Sequence, residues 1–179
     1  MESKKELLQF SWRVVALHTI AYFIAGILAL IFMGYKELFS SDVLSSLMRP
    51  VDSAMVAIGP SLQIILGLFM SLFLFPFRSI FLEKKNGWVY LFFLITGFTL
   101  FAPQLPGPGS FEGVLYTILP WQAHLIGLPE MLIYSALFSV GIVWWYKKPK
   151  KAWNILAVIS ICLIFIMSLL GVLASQGTI

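Results

Sequence analysis

The sequence predicts an all-α integral membrane protein: a five-transmembrane-helix bundle with its N-terminus cytoplasmic, its C-terminus external, and short interfacial helices in the two external connections. Three observations carry that prediction. The first is composition. Hydrophobic residues make up 60% of the chain and charged residues only 11%, against roughly 25% charged in a soluble domain. A chain of 179 residues has too small an interior to hide that much apolar surface, so lipid must solvate most of it.

The second observation is the layout of apolar runs, at about 10–33, 54–77, 87–103, 122–146 and 152–175. Each approaches or exceeds the ~17–25 residues that a bilayer core requires of a helix. The third is the placement of the basic residues. With the N-terminus inside, Lys4, Lys5, Arg13, Arg78, Lys84, Lys85, Lys147, Lys148, Lys150 and Lys151 are cytoplasmic and only Lys36 and Arg49 are external, which is ten of the twelve on one side. That bias orients a membrane protein. Trp12, Trp88, Trp144, Trp145 and Trp153 fall at the same inner boundary, and Trp121 falls at the outer one.

In chain order, the first apolar run follows the basic segment MESKKELLQFSWR as a signal peptide would. It is longer than the usual ~7–15-residue signal core and lacks a clear small-x-small cleavage site, so it is expected to remain as the first span. The first external connection, Tyr35 to Asp52, offers Ser41 or Asp42 as cap of a short helix. Phe39, Val43, Leu44, Leu47 and Met48 would form its apolar side, with Pro50 as its stop. In the second external connection, Pro103, Pro106, Gly107, Pro108 and Gly109 force a compact turn. Ser110 then caps a helix running to Thr117, with Glu112 in its first turn, and Pro120 ends it. This 103–121 segment is expected as a lid on the outer end of the bundle. No internal repeat is present, and the chain reads as a single transmembrane domain over 1–179, placed as a multi-pass protein of the cell (plasma) membrane.

The polar residues inside the spans are the candidate site. A charge in hydrocarbon is expensive and marks function, which singles out Glu130. It lies roughly eight residues into the fourth span, about 12 Å deep at 1.5 Å per residue. Gln63 lies at a similar depth in the second span, and His18 lies near mid-depth in the first. Ala21, Ala25 and Ala29 continue the helical stripe of His18, and such small stripes let membrane helices approach. Gly127, Glu130, Tyr134 and Gly141 share one side of the fourth span, where Pro129 is expected to kink the helix. The ligand-binding set expected from sequence is therefore Glu130, His124, Gln63, His18 and Tyr134.

Several function classes are excluded or weakened. The positive residues form short runs between spans rather than one basic face, so nucleic acid is not an expected partner. The lone Cys162 supports no disulfide framework or CxxC motif. No GxSxG, HExxH, Walker or GxGxxG motif occurs, so no catalytic residue is assigned. His124 and Glu130 are six positions apart, which does not suit a metal site on one helix, so no metal ligand is assigned, and the residues do not name a cofactor. The expected role is binding or passing a small molecule, proton or lipid in the outer half of the bundle. Accessory-subunit and homo-oligomer roles are also open. An enzyme using Glu130 and His124 on a lipid-like substrate is the first alternative, and a haem subunit ligated by His18 and His124 is the second.

Overall fold

The computed structural model describes residues 2–42, 44–101 and 107–177, and among these residues there are helices and no strand. The order is α1 (Glu2–Phe32), α2 (Tyr35–Phe39), α3 (Ala54–Leu74), a 3-10 turn (Phe75–Phe77), α4 (Arg78–Leu82), α5 (Gly87–Phe101), α6 (Phe111–Tyr116), α7 (Trp121–Leu125), α8 (Leu128–Lys147) and α9 (Lys151–Ser175). Among the described residues, four stretches are long and apolar enough to cross a membrane: Lys4–Phe32, Ala54–Leu82, Trp121–Lys147 and Lys151–Ser175. At 15 residues, α5 is shorter than the ~20 that a hydrocarbon core asks of a helix. It covers the described part of the stretch expected at 87–103.

The core is built around α1, which packs against α3, α8 and α9, while α9 also lies along α3 and α5 lies on α8. Small residues make these contacts close. A Cβ on Gly67 would stand 3.0 Å from the Val15 Cα, and one on Gly171 would stand 3.0 Å from the Ala57 Cβ. The expected stripe is buried too: Ala21, Ala25 and Ala29 have at most 3% of their surface exposed. Around this seam Val14, Leu91, Phe138 and Ile142 fill the interior.

The basic segments gather at one end of the bundle. Arg78 pairs with Glu6 at 2.7 Å. Lys147 Nζ donates to the carbonyls of Lys84 and Lys85, and Trp12 Nε1 donates to Asn154 Oδ1 at 3.0 Å. Arg13 lies 6.0 Å from the ring centres of both Trp145 and Tyr146. This is the basic end, and the connections 33–53 and 107–127 lie at the opposite end.

At that opposite end the structure corrects two expectations and matches a third. The short helix of the first connection is Tyr35–Phe39, not a segment started by Ser41 or Asp42. Gly34, at φ 61°, turns the chain straight out of α1 into it. Ser41 donates its hydroxyl to the Leu38 carbonyl at 2.6 Å, closing α2 instead of opening a new helix. Leu44, Leu47 and Met48 follow in turns, and Val43 lies outside the described residues. The fourth span is not one kinked helix but two helices, broken at Ile126 and Gly127. Pro129 sits in the first turn of α8, where its missing N–H has no carbonyl to bond. It starts a helix rather than bending one. In the second connection Pro103 and Pro106 lie outside the described residues. Ser110 caps α6 as expected, its hydroxyl oxygen accepting from the Gly113 N–H at 2.9 Å.

Candidate functional site

Two polar clusters lie between α1, α3 and α8, one helical turn apart. The deeper one joins three of the residues expected from sequence. His18 Nδ1 is 2.6 Å from the Tyr134 hydroxyl, and His18 Nε2 is 3.0 Å from Gln63 Oε1. The carbonyl Oε1 only accepts, so the imidazole carries its proton on Nε2 and takes the Tyr134 O–H at Nδ1. Gln63 in turn donates through Nε2 to the Gly59 carbonyl at 3.4 Å. Three helices are thereby tied by one chain of hydrogen bonds. The rings of Tyr134 and Phe138 enclose the imidazole edge-on, at 5.5 Å and 6.4 Å.

The second cluster belongs to Glu130, one turn nearer the end opposite the basic one. Its hydrogen-bond partner is a residue the sequence analysis left out. Tyr35 donates its hydroxyl to Glu130 Oε2 at 2.5 Å, linking α2 to the start of α8. The Tyr35 phenol is pushed above its ordinary pKa range, first by burial and then by the hydrogen bond to Glu130 and its charge. Glu130 Oε1 has no hydrogen-bond partner among the described residues. It faces α1 at Gly26, where a Cβ would stand 3.8 Å away.

Glu130 and Tyr35 form the polar wall of a cavity of about 440 Å³, within the roughly 300–1,000 Å³ typical of small-molecule sites. From α1 the lining includes Tyr22, Phe23, Gly26, Ile27 and Leu30. Phe39, Met48 and Val51 come from the connection, and Met55, Val56, Gly59 and Pro60 from the start of α3. Pro60 lies inside α3 and lacks the N–H that would bond the Val56 carbonyl. Glu130 is the only charged side chain on this lining, which is otherwise apolar or aromatic apart from the two tyrosine hydroxyls. No described residue of the 103–121 segment contributes to it; the connection between α1 and α3 walls this cavity.

The remaining sequence-selected residue, His124, stands apart from both clusters. It is 4% exposed, and its Nδ1 accepts from the Gly109 N–H at 3.3 Å, so it fastens the turn before α6 to α7. It lines neither the Glu130 cavity nor the His18 chain, and Nε2 is buried without a partner among the described residues. Both ring nitrogens of His18 are already engaged, so the structure does not present His18 and His124 as a facing pair of axial ligands. Ser135 and Ser139, on the same helix, are fully buried, and Cys162 is exposed on α9.

The fold and its two polar clusters define a helical bundle with four helices capable of crossing a membrane and one apolar cavity carrying a carboxyl group. No protein family, curated protein or solved structure matches the chain.

The residues missed from sequence are Tyr35, Tyr22, Gly26 and Pro60. The Gly59-Pro60 pair inside an apolar run was the one local signal available. Nothing local links Tyr35 to a glutamate 95 positions away.

Proposed function

We propose that this is a non-enzymatic five-span protein of the cell membrane that binds a small molecule in the outer half of its helix bundle. The basic end faces the cytoplasm and the C-terminus lies outside, with α5 as the third and shortest span. Support for this orientation is the gathering of basic segments at one end, where the positive-inside rule places them. The single observation that carries the binding role is Glu130 on an apolar cavity of about 440 Å³. A carboxyl group that served only as a helix tie would be expected to use both oxygens on neighbouring helices. This one uses one oxygen on Tyr35 and leaves the other without a partner among the described residues, on a cavity that Gly26 also lines.

The test is native mass spectrometry of the full chain extracted gently from its own membranes, beside Gly26→Phe, which fills the cavity with a ring. The wild type should carry a bound small molecule that the variant lacks. A bare wild-type monomer would overturn the binding role, and recovery only with other polypeptides would point to an accessory subunit.

A further inference from the structure

The cavity lining also restricts what kind of molecule fits. We infer that the Glu130 cavity takes an ammonium group attached to an apolar body, the cation resting on Glu130 Oε1 and the body running along Ile27, Leu30 and Met55. This rests on the binding role proposed above and adds the chemical class of the ligand.

Three independent observations point to a cation. The lining holds one carboxyl group and no Lys, Arg or His. An anionic ligand would meet like charge with no basic side chain on the lining to offset it. A neutral ligand would leave the unpartnered oxygen a weaker partner than a charged donor does. Second, the carboxyl group is already oriented. Tyr35 holds Oε2, which leaves Oε1 on the side of Gly26, and both residues line the cavity that would take the head group. Third, Tyr22, Phe23, Tyr35 and Phe39 all face the cavity, the last two stacked with ring centres 5.0 Å apart. Ring faces attract ammonium groups, and more strongly where water is excluded.

The body is specified by what remains. Ile27, Leu30, Met48, Val51, Met55 and Val56 offer no hydrogen bond from a side chain, so beyond its head the ligand is hydrocarbon. An amine-bearing lipid head group and a free aryl- or alkylamine share this chemistry.

A matched probe series separates charge from shape: 2-phenylethylamine, 2-phenylethanol and 3-phenylpropanoate. Each is titrated onto the full chain in nanodiscs of phosphatidylcholine, with binding read by saturation-transfer NMR. The amine should bind at least tenfold more tightly than the alcohol, and the carboxylate should not bind. Glu130→Gln keeps the shape and should remove the preference for the amine while leaving the alcohol unchanged. Gly26→Phe should abolish both.

Equal affinity of wild type for amine and alcohol, or better binding of the carboxylate, overturns the inference without recourse to any variant. Amine binding unchanged in Glu130→Gln overturns it as well. In either case a molecule still carried by the native protein would leave the binding role standing. Failure of all three probes, with a neutral or anionic molecule found on the native protein, refutes the cation alone. Failure of all three with a bare native protein refutes both. Adding phosphatidylethanolamine to the nanodiscs distinguishes the sources, since competition with the amine probe identifies a lipid head group and its absence a free amine.

Discussion

The two polar clusters occupy the same three-helix seam and differ by one turn on each helix, yet they are built on opposite plans. Stepping from His18 to Tyr22 on α1, from Gln63 to Gly59 on α3 and from Tyr134 to Glu130 on α8 moves from one to the other. In the deeper cluster each of the three side chains has a polar partner, and the chain closes on a backbone carbonyl. In the outer one a single side-chain hydrogen bond is made, and the second carboxylate oxygen is left without a partner among the described residues, on the cavity lining. The contrast separates two uses of polarity inside an apolar bundle. A closed chain fixes how helices pack, since breaking it strands groups that have no water to turn to. An open one leaves a polar atom without a partner, and the proposed binding role rests on that atom.

The sharpest way to break the comparison is His18→Leu. It strands Gln63 Oε1 and leaves the Tyr134 hydroxyl only the Met70 sulfur at 3.7 Å, and a buried group left without a partner costs about 1–3 kcal/mol. Melting temperature, read by tryptophan fluorescence in detergent micelles, should fall by several degrees. Ligand binding should be lost only in proportion to unfolding. Next in size is a pair of glycine substitutions on either side of the divide. Gly67→Ala drives a methyl group to 3.0 Å from the Val15 Cα and 3.2 Å from the His18 ring, and overpacking of this kind costs about 1–3 kcal/mol. Gly26→Ala meets nothing closer than 3.8 Å. It should leave the melting temperature unchanged or slightly higher, since alanine is the better helix former. If both substitutions destabilise equally, the cavity beside Gly26 is not open as described.

A smaller effect is expected from Tyr35→Phe, which removes the one bond Glu130 makes. Stability should change by about 1 kcal/mol, the usual net worth of a hydrogen bond. The preference for an amine over the matched alcohol should survive, because the carboxyl group remains. The smallest effect is on the pH profile. The folded-state pKa of Tyr35 is raised, so its contribution is complete below the unfolded phenol value near ~10 and is lost as pH climbs through the folded one. Wild-type melting temperature should therefore decline above about pH 10, and more steeply than that of Tyr35→Phe. Parallel profiles would show that the phenol is not buried against Glu130.

Much of the bundle was legible because hydropathy and charge are written along the chain. The four long apolar stretches, the grouping of lysines, the buried alanine stripe and the Ser110 cap all depend on neighbours a few positions apart. Two local signals misled, each because one residue type serves two geometries. A proline inside an apolar run can bend a helix or begin one, and Pro129 begins α8 because the break falls at Ile126 and Gly127. A serine next to a helix end can cap a following helix or close a preceding one, and Ser41 closes α2. The site was legible only in part. Glu130 was found from the cost of placing a carboxyl group in hydrocarbon, but its partner was not, because Tyr35 reaches it through the packing of α2 on the bundle.

The origin of the cavity walls carries one more consequence. Ten of the fourteen lining residues sit on α1, α3 and α8, whose sequences are constrained by one another through the seam. The other four, Tyr35, Phe39, Met48 and Val51, come from the connection between α1 and α3. Substitutions in that connection would reshape the cavity while the helices stay as they are. If the proposed binding role holds, exchanging some twenty residues of loop is enough to change what fits, much as a lock is rekeyed without replacing the door.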